Sequence, residues 1–114
     1  MKIIISGGRT FNDYDLLSKS CDKAFSKLTE IEIVSGTANG ADKLGERYAK
    51  EKGLTLKQLP ADWTKGKSAG YKRNEEMAKY ADALIAFWDG KSKGTGHMID
   101  LAKKYNLKVK VVRF

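Results

Sequence analysis

The chain has 114 residues, one cysteine, one histidine and a formal net charge of +8 at pH 7. That length suits one hydrophobic core rather than two, so a single domain over residues 1–114 is expected. A lone Cys21 excludes an internal disulfide and, with a single histidine, leaves no zinc-type ligand set, which suits a reducing compartment and no metal. The N-terminal apolar run is only Ile3 to Ile5, far short of a signal or membrane span, so a cytoplasmic protein without a membrane partner is expected. A pI near 9.6 sets a field that attracts nucleotides, nucleic acid or another anionic surface, without choosing among them.

Strand and helix patterns alternate along the chain. Lys2–Ser6 (KIIIS) reads as a buried strand of the parallel type. Gly7, Gly8, Arg9 and Thr10 follow. The glycines permit left-handed backbone angles and close approach of a ligand, and Arg9 can fork onto a phosphate or carboxylate. The same loop also reads as a plain turn with a surface arginine. Tyr14, Leu17, Cys21, Ala24, Phe25 and Leu28 recur at helical spacings, with Asn12 or Asp13 as N-cap. Glu32–Ser35 is the second strand. The loop SGTANGAD (Ser35–Asp42) places Gly36 and Gly40 around Thr37 and Asn39, either of which can cap the next helix, whose N-terminus favours anions. Asp42, in its first turn, can accept a ribose hydroxyl or complement the helix dipole.

Ala41, Leu44, Gly45, Tyr48 and Ala49 share one face of the second helix, and Gly53 stops it. Leu54–Leu59 is the third strand, ended by Pro60, which cannot donate to a ladder. ADWTKGKS (Ala61–Ser68) nearly reads as a P-loop, but Ala61 stands where the first glycine belongs; a second GKS at Gly90–Ser92 would need glycine in place of Ile85. With no GxGxxG after the first strand either, ATPase and dinucleotide dehydrogenase chemistry have no motif. Gly70, Asn74, Met77, Ala78 and Ala81 form the buried face of the third helix. Arg73, one turn before Met77, lies close enough to that stripe to need an anionic partner, which a ligand phosphate would supply.

Ala83–Trp88 is the fourth strand. Gly94, Thr95 and Gly96 then open the fourth helix as a phosphate cradle, with His97 in its first turn as an acid–base candidate or a partly exposed polar residue. Met98, Leu101, Ala102 and Tyr105 are that helix's buried face, and Lys108–Val112 is the last strand. Trp63 and Trp88, each beyond or at a strand end, can stack on a base or pack at the sheet rim. Basic residues gather at Lys65, Lys67, Lys72 and Arg73, and again at Lys91 and Lys93. The strict alternation predicts a three-layer α/β fold: a Rossmann-like parallel sheet of five strands, order 3-2-1-4-5, with helices on both faces. The ligand crevice is then expected at the carboxyl ends of the strands.

GGRTF (Gly7–Phe11), SGTANGAD, PADW (Pro60–Trp63), AGYKRNEEM (Ala69–Met77) and GTGHMID (Gly94–Asp100) together resemble blocks of the SLOG superfamily, in its small YspA-like, cpYpsA-related branch. That superfamily includes the LONELY GUY phosphoribohydrolases and the DNA-processing protein of natural transformation. The resemblance implies a nucleotide or ADP-ribose-like ligand. It also matches Arg73 to the LONELY GUY arginine and Gly94 and Thr95 to the phosphate-binding turn. Where PGGxGTxxE carries its glutamate, this chain has Met98, whose thioether cannot activate water.

Three functions follow as expectations. The first is binding or sensing of an NAD-derived or ADP-ribose-like nucleotide, with no cofactor required. Its contacts would come from Gly7, Gly8, Arg9, Thr10, Ser35, Gly36, Thr37, Asn39, Asp42, Trp63, Arg73, Asn74, Trp88 and Gly94–Gly96. The second is an N-glycosidase-like nucleotide hydrolase with a displaced catalytic group, the candidates being Asp42, Asp62, Asp89 and His97. The third is single-stranded nucleic-acid binding, suggested by the charge and by the likeness of SGTANGAD to the DNA-processing protein. A homo-oligomer through the third or fourth helix, in a bacterial or phage-infected cell, completes the expectation.

Overall fold

The computed structural model describes residues 1–66 and 68–114; Lys67, counted above in a basic cluster, lies outside them. Five parallel strands form one sheet in the order β3-β2-β1-β4-β5. They are β1 (Lys2–Gly7), β2 (Glu32–Ser35), β3 (Thr55–Gln58), β4 (Ala83–Trp88) and β5 (Lys108–Arg113). The helices are α1 (Tyr14–Phe25), α2 (Ala41–Glu51), α3 (Ala69–Tyr80) and α4 (Lys93–Lys104), with a 3-10 turn at Trp63–Lys65.

The central strands are apolar on both faces because helices cover both. Ile3, Ile5, Ile33, Ile85 and Phe87 point to one side, into a core with Leu17 and Cys21 of α1 and Tyr48 and Ala49 of α2. Ile4, Val34, Leu84 and Ala86 point to the other, against Met77 and Ala78 of α3 and Met98 and Ala102 of α4. Each large aliphatic side chain so buried contributes roughly 1.5–3 kcal/mol. Edge strand β3 is largely exposed and shorter than Leu54–Leu59, although Leu59 still donates its amide to the Ser35 carbonyl at 2.8 Å.

Local chemistry sets the helix ends. Asp13, not Asn12, caps α1, its Oδ1 accepting the Leu16 amide at 3.0 Å. Ala24, within the helix, faces solvent rather than the core, and because the helix stops at Phe25, Leu28 packs from beyond its end. Neither Thr37 nor Asn39 caps α2: the N-cap is Gly40, at φ +80°, with no side-chain bond. A side chain at Gly40 would also run into the Gly8 carbonyl, which accepts the Phe11 and Ala41 amides and ties the first two loops together. α4 begins at Lys93, so Gly94–Gly96 lie inside its first turn and His97 in its second.

Candidate functional site

In a doubly wound sheet the chain leaves neighbouring strands toward opposite faces, and the loops part to leave a crevice. Here that happens between β1, followed by a helix on one face, and β4, followed by a helix on the other. A cleft of about 800 Å³ opens at their carboxyl ends, a size suited to a small ligand or one unit of a larger one. Gly7, Gly8, Arg9 and Thr10 line it from the first loop, Asp42 from α2 and Trp63 from the 3-10 turn. Arg73 and Asn74 of α3 face Gly94 and Thr95 of α4 across it.

Gly7 and Gly8 do not use the left-handed angles open to them. Gly7 is required for space: a Cβ there would meet the Phe87 carbonyl, which accepts the Gly8 amide at 3.1 Å. The backbone is therefore bare at the cleft floor.

Asp42 and Arg73 form the electrostatic centre. Asp42 is 4% exposed, and its carboxylate accepts the Ala38 amide at 3.2 Å, which ties the loop at the cleft wall. Burial pushes its pKa up to about 6, against the lowering pull of the Ala38 amide and Arg73. Arg73 is half-buried, donates to the Gly36 carbonyl and, through Nε, to Asn74 Oδ1 at 3.1 Å. Burial pulls its pKa below the ordinary value while Asp42 opposes the shift. Gly36 lies between the two: a Cβ there would sit 2.8 Å from an Asp42 oxygen and 2.9 Å from the Arg73 guanidinium carbon. Part of the counter-charge that Arg73 requires is thus internal.

The β4–α4 loop supplies donors. Asp89 accepts the Lys91 and Ser92 amides, each at 2.8 Å, and the Ser92 amide foremost holds its carboxyl below the usual range. This Asx-type turn presents Ser92 as N-cap of α4. The first helical bond runs from the Gly96 amide to the Ser92 carbonyl at 3.1 Å, leaving the amides of Lys93, Gly94 and Thr95 without helical acceptors. Their orientation, with the helix dipole, favours an anion at the cleft.

Several residues named from sequence lie elsewhere. Ser35 is buried beneath the cleft, donating to Glu46 at 2.7 Å, and Gly36 lies below Arg73 rather than on the lining. Thr37 and exposed Asn39 also stay off the lining. Trp88 and Gly96 face a neighbouring groove: Trp88 donates to the Ser92 carbonyl at 3.0 Å, stacks with Arg113 and occupies the space beside Gly96.

Among the candidate catalytic groups, Asp42 and Asp89 reach the cleft. Asp62 is exposed and caps the 3-10 turn through the Thr64 amide at 3.2 Å. His97 lies on the neighbouring groove, edge-on to Tyr71 with ring centroids 4.5 Å apart. Met98 lines the cleft, so the thioether stands at the site itself. Sequence reasoning missed Gly66, Tyr71 and Ser92 as lining residues. Ser92 carried a signal, a serine heading a helix, whereas the place of Tyr71 depends on how α3 lies against α4.

Among the described residues no three His, Cys, Asp or Glu side chains group to hold a metal ion. No described helix is long and apolar enough to cross a membrane.

The family model for YspA, cpYpsA-related SLOG proteins matches residues 1–66. The Gene 61 protein of Mycobacterium phage D29 is 34% identical over 119 aligned positions, covering 95% of this chain and 93% of that protein. The chain belongs to the YspA, cpYpsA-related SLOG family. This SLOG chain also shares its fold with DNA processing protein A from Helicobacter pylori, whose structure is described for a unique single-stranded DNA binding mode. The TM-score is 0.71 at 21% identity, over 97% of this SLOG chain and 64% of the other, so it spans a little under two thirds of that protein. At that identity the likeness is one of fold.

Proposed function

We propose that this SLOG protein binds single-stranded nucleic acid, seating one nucleotide's phosphate in the cleft at the ends of β1 and β4. The observation that carries this reading is the company the cleft keeps. Arg9, Arg73 and the amides opening α4 offer phosphate contacts, and two exposed aromatics, Trp63 at 55% and Tyr71 at 47%, stand on its rim. Guanidinium groups beside open aromatic faces suit a flexible strand, because the charges track the backbone while each base stacks without sequence readout. The net charge of +8 favours the same partner. The DNA-binding description of the H. pylori fold relative agrees with it.

A second reading rests on the cleft's volume, about 800 Å³ around a buried carboxylate: a free NAD-derived or ADP-ribose-like nucleotide held in the same place. One experiment separates them. Thermal shift is measured with a thymidine oligonucleotide, AMP, ADP-ribose, cyclic ADP-ribose and NAD, on the parent chain and on Arg73→Ala. A ligand at about a hundred times its Kd adds about 2.7 kcal/mol, several degrees in a domain of this size. Stabilisation by the oligonucleotide that weakens with salt and is lost in Arg73→Ala supports the first reading. A shift with one free nucleotide alone replaces it with the second.

A further inference from the structure

A second groove, of about 730 Å³, runs along the outer face of α4 and joins the cleft: Tyr71 and Ser92 line both. We infer that this groove is where a single strand continues after leaving the cleft, its bases passing the Tyr71 ring and its phosphates meeting Lys91, Lys93 and Lys103. The proposal rests on the reading of the cleft as a single-stranded nucleic-acid site and extends it.

Three observations carry it. Lys93, His97, Asp100 and Lys103 recur at the three- and four-residue spacings of one helix face, and Lys91 extends the row beyond the N-terminus. From Lys93 to Lys103 the helix rises about 15 Å, more than one phosphate's reach. The three lysines face one carboxylate in the groove, Asp100, and none of the three is in an ion pair among the described residues. Finally, the groove has aromatic walls: Trp88 on one side, and Tyr71, braced edge-on by His97, where the groove meets the cleft. A lysine row on a merely solvated helix face lacks such walls; lysines with aromatics beside a site for the same strand form a track.

The test titrates thymidine oligonucleotides, a dinucleotide and a dodecanucleotide, into the parent chain, Trp63→Phe and the triple variant Lys91→Ala/Lys93→Ala/Lys103→Ala. In Trp63→Phe the remaining tryptophan is Trp88, whose emission reports the groove directly. The dodecanucleotide is expected to change that emission and the dinucleotide to leave it alone. The triple variant is expected to bind the dinucleotide like the parent but to lose about tenfold or more for the dodecanucleotide, with a salt slope smaller by about 2. Parent-like affinity and slope for the dodecanucleotide in the triple variant would overturn the groove while leaving the cleft reading intact. No binding of either oligonucleotide by the parent chain would overturn the cleft reading, and the groove with it.

Discussion

Asp42 is an acid held under a loop, and its titration has a direction. Its folded pKa, about 6, stands above the ordinary 3.8, so the folded state binds this proton more tightly than the unfolded chain does. The corresponding stability is fully present below the ordinary value and is lost as pH rises through about 6. Asn at this position keeps the acceptor for the Ala38 amide and cannot ionise. The stability of Asp42→Asn relative to the parent should therefore rise by up to about 3 kcal/mol between pH 4 and pH 7, as read by urea unfolding; a flat difference would show that the carboxylate is solvated. Thr37, a β-branched residue at φ +66°, is a strained position in the loop before α2. Thr37→Gly should stabilise the chain by roughly 1 kcal/mol in the same assay. The need of Arg73 for an anion was legible in its place beside the buried stripe. Its partial internal answer was not, because Asp42 in the first turn of α2 and the Gly36 carbonyl in the loop before it lie more than thirty residues earlier in the chain and meet Arg73 only through packing.

At the scale of elements, caps and close contacts decide where helices start and how near they approach the sheet. Asp13→Ala removes the acceptor of the Leu16 amide and should lower stability by about 1 kcal/mol. Gly45 lets α2 lie against β1, with its missing Cβ 2.8 Å from the Ile5 Cβ. Gly45→Ala should then cost roughly 1–3 kcal/mol, more than helix propensity would return, and calorimetry of the pair would show it. The buried faces of α2 and α3 could be read from spacing alone, because helical periodicity is local. The cap of α2 is not legible from residue type, since Thr37 and Asn39 both suit the role, while the turn demands positive φ at Gly40. His97 stands in the second turn of α4 as the partly exposed polar residue that was one of its two readings, on the neighbouring groove, since the Asp89 turn starts α4 at Lys93.

Across the whole molecule, the positive charge matters where it is placed. If the cleft holds a strand's phosphates, a plot of log affinity against log salt should lose a slope of about 0.7 for Arg73→Ala, while Lys19→Ala, on the exposed side of α1, changes it little. Equal losses at both positions would mean that binding follows net charge and not the cleft.

The alternation of apolar runs with amphipathic helices was enough, by itself, to determine a five-stranded parallel sheet, its strand order and the end at which loops gather. Period and handedness are local properties of the chain, and crossover rules leave few ways to assemble them. The combination of motif blocks likewise placed the chain in its family. Only the tertiary structure decided which loop residues face the cleft. It put Ser35 beneath it, Trp88 beside it, and Tyr71 between cleft and groove. Ser35 is fixed by Glu46 of α2, while Trp88 and Tyr71 take their places from how α3 lies against α4 and α4 against β4, packing that side chains distant in sequence set together.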